Sequence, residues 1–254
     1  MTHERYINGL TSITGLCLIL TSLMSTTALA GRDDVALPES DTAAVEESPV
    51  RLAGYRKQPI KKSAKIYKRT ITTYFWVGEG ATKDNNFISN ASSAWDGNWL
   101  KHYGGVDSPR HRCGYKPCAF KPKENPFYVA LPYNDLDIDG RRKESAKLIP
   151  WYRENSDKTS ILKNRWIEIV YRENRCYAQW EDVGPLETDD FDYVFGNSPS
   201  INMFGVKAGM DVSPAVWDCL KLDDNDYIAW RFVDESEVPP GPWKETVTRS
   251  GVHR

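Results

Sequence analysis

The sequence predicts a mainly β fold, a small closed barrel carrying one or two short helices and a long loop insertion. Three observations predict it. Short runs rich in β-branched and aromatic residues recur along the chain with period-two alternation. Turn-forming Gly, Pro, Asn and Asp lie between them, and no self-similarity at a solenoid or propeller period organises them. The clearest helix start is Ser213-Pro214, a hydroxyl N-cap followed by proline at the first helical position.

Residues 1–30 of the 254-residue chain read as a secretory signal. Arg5 supplies the basic start, an apolar and hydroxyl-rich run extends from Leu10 to Met24, and Ala28-Leu29-Ala30 precedes the expected cleavage. The run is too short and too rich in Thr and Ser to span a bilayer, and no later segment approaches the roughly 18 apolar residues that spanning needs. Leu16 stands before Cys17, where lipid-linked processing expects a small residue. The expectation is a secreted or periplasmic protein with no membrane association after signal removal. Residues 31–65 join an acidic half, DDVALPESDTAAVEE, to a basic half, RKQPIKKSAK, and read as a disordered linker with little to bury. A formal net charge of −2 offers no basic surplus for nucleic acid. The barrel domain is expected over 66–240, interrupted by an insertion at about 78–123, with a C-terminal tail over 241–254.

Strands are predicted at Thr70 to Val77 (TITTYFWV), Phe127 to Leu131 (FYVAL), Trp166 to Tyr171 (WIEIVY) and Cys176 to Trp180 (CYAQW). Arg172 to Arg175 form the turn joining the last two. Tyr227 to Val233 alternates, with Ile228, Trp230 and Phe232 on one face. A short helix is predicted from Pro214 to Leu220, and a second within Arg141 to Ile149, stopped by Pro150. Inside the insertion, Trp95, Trp99 and Tyr103 recur at spacings of four, which describes either a sugar-stacking surface or the buried face of a helix; core packing is the favoured reading.

Beyond the signal there are four cysteines, Cys113, Cys118, Cys176 and Cys219, an even number suited to two disulfides in an oxidising compartment. Of the three pairings, the Gly and Pro within CGYKPC favour Cys113 with Cys118, leaving Cys176 to bridge Cys219. A four-thiolate zinc site would want a CxxC knuckle, which is missing. The acidic loop ETDDFDY lacks the Gly and terminal Glu of a calcium loop and reads as a solvated acidic loop. No motif pairs a His with a Cys or Ser nucleophile. No metal or cofactor is expected.

A strand ending in EDVGP (Glu181 to Pro185), then GMDVSPAVWDCL (Gly209 to Leu220), then YIAWRFV stand in a fixed order. This order resembles the double-psi β-barrel superfamily, in particular rare lipoprotein A-like domains, expansins and family 45 endoglucanases. Asp182-Val183-Gly184-Pro185 resembles the family's Asp-x-Gly-Pro turn, and Asp211-Val212-Ser213 its Asp-Leu-Ser helix opening. The Ala130 to Pro132 turn and TYFW at Thr73 to Trp76 resemble its Leu-Pro turn and opening strand. The resemblance implies a six-stranded double-psi β-barrel over roughly 70–234, acting on or binding cell-wall polysaccharide, either peptidoglycan or β-glucan.

It also implies site residues. The catalytic Asp of the Gly-Pro turn maps onto Asp182, and the aspartate before the barrel helix onto Asp211. The family's catalytic His falls at Tyr128, whose reference pKa of about 10 makes it a poor base. The first-strand aspartate of the endoglucanases falls near Val77, with Glu79 two residues on. By the residues' own chemistry, Asp182 between Trp180 and an apolar turn suits a protonated general acid. Asp211, just before a helix N-terminus, suits an ionised base or an anchor. Glu181 is expected as a solvated charge on the face opposite Asp182, and Trp76, Tyr128 and Trp180 as sugar-stacking rings. If catalytic, the protein would be a glycoside hydrolase or resemble a lytic transglycosylase. The alternatives are a non-catalytic glycan-binding or wall-loosening module and a barwin-like secreted interaction protein.

Overall fold

A computed structural model describes residues 67–154 and 159–251; the signal and the linker of 31–65 lie outside them. In chain order the elements are β1 (Lys68–Tyr74), α1 (Trp99–Tyr103), β2 (Arg112–Cys113), β3 (Lys116–Pro117), β4 (Tyr128–Leu131), β5 (Arg165–Tyr171), β6 (Asn174–Val183), α2 (Phe191–Val194), β7 (Met210–Val212), α3 (Pro214–Leu220) and β8 (Asp226–Val233). Six strands close a barrel in the order β1-β7-β4-β6-β5-β8, with β8 returning to β1. The fold is mainly β, a six-stranded mixed barrel with few short helices. Two parallel pairs, β1 with β7 and β4 with β6, sit among antiparallel ones. Parallel neighbours need long crossover connections, so each pair joins strands far apart in sequence.

Alternation explains the interior. Val129 and Leu131 of β4, Ile167 and Ile169 of β5, Cys176, Ala178 and Trp180 of β6, Met210 and Val212 of β7, and Ile228 and Trp230 of β8 share one buried cluster. The β5–β6 hairpin turns on Arg172 and Glu173 alone, with Tyr171 paired to Asn174 and Arg172 at a φ of 52°. That positive φ matches the twist-compatible two-residue turns, so the strands run further into the predicted four-residue turn. α3 spans the predicted residues: the Ser213 hydroxyl accepts from the Val216 amide at 3.3 Å and donates to the Pro126 carbonyl at 2.7 Å, tying the helix start to the approach to β4.

Three elements differ from expectation. β1 ends at Tyr74, because its pairing with β7 stops there. The second helix is a single 3-10 stretch, Glu144–Leu148, with Ala146 its one buried residue and no apolar stripe to dock it. β7 is too short for periodicity to reveal and was hidden in the lead-in to the helix.

The insertion folds back over the barrel. Trp99 and Tyr103 of α1 pack with Phe75, Val77, Tyr128 and Ala130 in a second cluster on the outer face of the sheet. Trp95 packs edge-on against Trp180 at 5.7 Å and donates its indole N–H to Asn134. These four-spaced aromatics are therefore core. Past residue 241, Trp243 and Val247 pack against Trp166 and Tyr177. The Thr248 amide and carbonyl bond the Gln179 side chain at 2.9 and 3.0 Å, so the stretch expected as a tail covers the outer face of β6.

Candidate carboxyl site on the outer face of the barrel

In simple alternation Asp182 would follow Cys176, Ala178 and Trp180 into the barrel. A register shift between β4 and β6 intervenes: Val129 pairs with Trp180, but Ala130 pairs with Asp182, leaving Glu181 as the extra residue of a bulge. The bulge aligns Asp182 with Ala130, which packs in the outer cluster. On the other side of β4, Ala130 pairs with Asp211, and Asp211 in turn with Thr73 of β1. One row thus reads Thr73, Asp211, Ala130, Asp182 across four strands. Its two aspartates stand two interstrand spacings apart, roughly 9.5 Å between backbones.

Asp182 is 8% exposed. Its Oδ1 accepts from the Ala94 amide of the insertion at 2.7 Å and the Val183 amide at 2.8 Å. Oδ2 accepts no hydrogen bond from the described residues. Burial raises its pKa to about 7 against those two amides, and the charge of Asp211 adds to the rise. Asp211 takes a hydrogen bond from the Thr73 hydroxyl. Burial raises it to about 6, opposed by Thr73 and assisted by the charge of Glu79. The Asp211 carboxyl reaches sideways to β1, while Ser213 caps α3 as predicted. Glu79, beyond β1, is also raised by burial, and accepts from Asn90 at 2.9 Å. Sequence hinted at this third carboxyl only through its place two residues past Val77.

Glu181 is corrected as well. It is buried, and its carboxylate binds the equally buried Lys163 ammonium at 2.5 Å. Burial drives Glu181 to about 7 against the pull of that ammonium. Lys163 escaped sequence reading because it lies on the approach to β5, and only strand pairing brings it to Glu181. The acidic loop is partly structural too: Asp190 is buried, caps α2 through the Tyr193 amide and holds the Ile201 amide, while Asp189 pairs with Lys143.

Of the three rings expected to stack on sugar, two are enclosed. Trp180 lies wholly inside the barrel, donating to the Asp182 carbonyl at 2.7 Å. The Tyr128 hydroxyl donates to Asp107 at 3.0 Å and accepts from the Val77 amide at 2.9 Å. Burial, then the Asp107 charge, pushes its pKa well above 10, so it is neither a base nor an open ring. Trp76 is half-buried and stacks with the exposed Tyr74 at 5.7 Å, and Tyr74 meets the half-buried Trp217 of α3 at 4.9 Å. This three-ring strip begins one residue past Thr73 of the acid row. Trp217 could not be found from sequence, since it approaches β1 only through the seating of α3.

Cys113 and Cys118 form the predicted disulfide, with Cα atoms 4.9 Å apart. Cys176 and Cys219 are thiols, which corrects the second predicted bridge. Cys176 packs in the core as a small apolar side chain, and the Cys219 thiol points to the Arg175 carbonyl at 3.8 Å. Burial and a hydrogen bond with Cys219 push the Cys176 thiol well above its ordinary value. Among the described residues, no group of three or more His, Cys, Asp or Glu side chains is arranged to hold a metal.

Chemically, the row offers two buried carboxyls that both hold their protons to a higher pH than ordinary aspartates do. Searches against known protein families and against curated protein sequences returned no match for this chain.

Proposed function

We propose that this protein is exported and acts on cell-wall polysaccharide, with Asp182 as general acid and Asp211 as the base that activates water. The observation that carries the reading is the pair of raised carboxyls flanking Ala130. Inverting glycosidases hold their two carboxyls about 6.5 to 9.5 Å apart so that a water fits between base and sugar, and a spacing of two strands suits that arrangement. Asp182, with the higher midpoint, is the proton donor. The Trp76, Tyr74 and Trp217 strip supports the reading, because contiguous part-exposed rings offer apolar faces for sugar. The mixed barrel with two parallel pairs and the Asp-x-Gly-Pro and Asp-Val-Ser turns support a double-psi barrel. The signal-like start and the Cys113–Cys118 disulfide support export to an oxidising compartment.

The test is incubation of the chain from Gly31 onward with peptidoglycan and with β-glucan, measuring released fragments for wild type and Asp182→Asn. Fragments from wild type alone support the acid role; equal release by both removes it. A second reading, a wall-binding module without catalysis, is favoured by the two amides on Asp182 Oδ1, which fasten the insertion to the β6 turn. It predicts retention on the insoluble polymer with no release by either protein.

A further inference from the structure

The barrel carries a groove of about 660 Å³, walled by Trp151, Arg153, Arg165, Trp166 and the Val233 to Glu235 stretch. Arg165 opens β5, in register with Trp180, two residues before Asp182 on the neighbouring strand. Its guanidinium lies 4.5 Å over the Trp151 ring, and its Nε donates to the Ile161 carbonyl at 3.2 Å. These contacts fix the plane of the guanidinium while leaving both terminal nitrogens without an acceptor among the described residues. No described carboxylate forms an ion pair with Arg165 or with the exposed Arg153. Burial lowers the Arg165 pKa, opposed by the charge of Asp234 and assisted to a smaller degree by that of Arg153.

The acids of the rim are engaged elsewhere. Asp234 caps the turn Glu235–Glu237, and Glu235 pairs with Arg249. Lys163, at the edge of the groove, is neutralised by Glu181. Trp166 is 3% exposed, and its indole N–H is a buried donor without an acceptor. Although the charge of Asp234 acts on Arg165, no described carboxylate pairs with its guanidinium, and a held fork with open terminal nitrogens is the geometry that receives a carboxylate through two parallel hydrogen bonds.

We propose that this groove binds the carboxylate of an acidic sugar, Arg165 taking it bidentately and Arg153, also in the lining, adding charge. This deepens the polysaccharide reading by making the substrate a carboxylate-bearing glycan, whose next sugars extend toward Asp182 on the adjoining strand.

The test is calorimetric titration of the chain from Gly31 onward with an oligogalacturonate, its methyl ester, a neutral cello-oligosaccharide and acetate. The acidic oligomer is expected to bind at least tenfold more tightly than its ester, the neutral oligomer or acetate. Arg165→Gln should weaken it at least tenfold, and Arg165→Lys, which keeps charge but loses the fork, should recover part of that loss. Glu144→Gln, at an exposed acid outside the groove, should bind it as wild type does. Equal affinity for acid and ester, or unchanged affinity in Arg165→Gln, overturns the proposal. Tight binding of acetate alone shows a small-anion site and overturns the sugar assignment. Failure of catalysis is read separately, in the fragment assay, and leaves these binding outcomes intact.

Discussion

Glu168 and Asp182 are carboxyls on neighbouring strands of one barrel, both out of water, and they titrate in opposite directions. Glu168 on β5 accepts from Arg175 at 2.7 Å, from the Tyr177 hydroxyl at 3.1 Å and from Arg231. Burial alone would raise it, but Arg231, Tyr177 and Arg175 hold it below the ordinary carboxylate range. Asp182 receives two backbone amides and no ion-pairing cation, so burial wins and it rises to about 7. A carboxylate closed between arginines is a fastener, whereas a buried carboxyl without an adjacent cation holds a proton it can give away.

The contrast is broken most severely at Glu168. Glu168→Gln leaves Arg231 and Arg175 facing a neutral amide and is expected to cost about 3 kcal/mol, read from the urea midpoint. Wild-type stability in that variant would remove Glu168 as a fastener.

The two groups also pull stability in opposite directions with pH. Asp182 has a folded pKa of about 7, against roughly 3.9 for an unfolded aspartate, so between about pH 4 and 7 the native state binds more protons. Stability therefore falls as pH rises through that window, by up to about 4 kcal/mol, and Asp211 adds in the same sense up to about pH 6. Glu168 is depressed, so its contribution is complete above about pH 4.3 and is lost as pH falls below that value. Urea midpoints should fall less steeply from pH 4 to 7 in Asp182→Asn, the remaining slope coming from Asp211 and Glu181; an unchanged slope would place Asp182 in water.

Turnover sharpens the same contrast. Cleavage should follow a bell with limbs near pH 6 and 7, where Asp211 is ionised and Asp182 still protonated. Asp211→Asn should lower the rate about a hundredfold and erase the acid limb, and a surviving acid limb would assign it to another group. The smallest effect is expected at the ring strip: Trp76→Ala, at a half-buried ring, should weaken polymer binding about tenfold, or about 1.4 kcal/mol, with little change in the urea midpoint. An unchanged pull-down would leave the strip without a part in binding.

Much of the barrel was legible along the chain. Alternation over Trp166 to Tyr171 and Tyr227 to Val233 reports which residues face inward, because period two is a property of the strand itself. Ser213-Pro214 marks α3 for an equally local reason, since a capping hydroxyl and a preset φ act within one turn. Asp182 and Asp211 were found from turn motifs, but their environments were not. Asp211 rises because the folded chain buries it, and the Thr73 hydroxyl that opposes the rise reaches it across a parallel strand pair. Trp180 and Tyr128 are aromatic in any reading, and only the closed barrel and the folded-back insertion decide that no sugar can reach their faces.

By itself, then, the sequence determined strand alternation, the capped helix and the tight cysteine loop, all consequences of chemistry within a few neighbouring residues, while the two aspartates were singled out by the resemblance of their turns to a known family. Tertiary structure alone decided that a bulge at Glu181 turns Asp182 outward, that Lys163 neutralises Glu181, that Cys176 and Cys219 remain thiols, and that Arg165 lines a groove with Trp151 beneath its guanidinium. The physical reason is that burial and charge pairing depend on distances through space. In a mixed barrel with parallel crossovers, those distances bear little relation to separation along the chain.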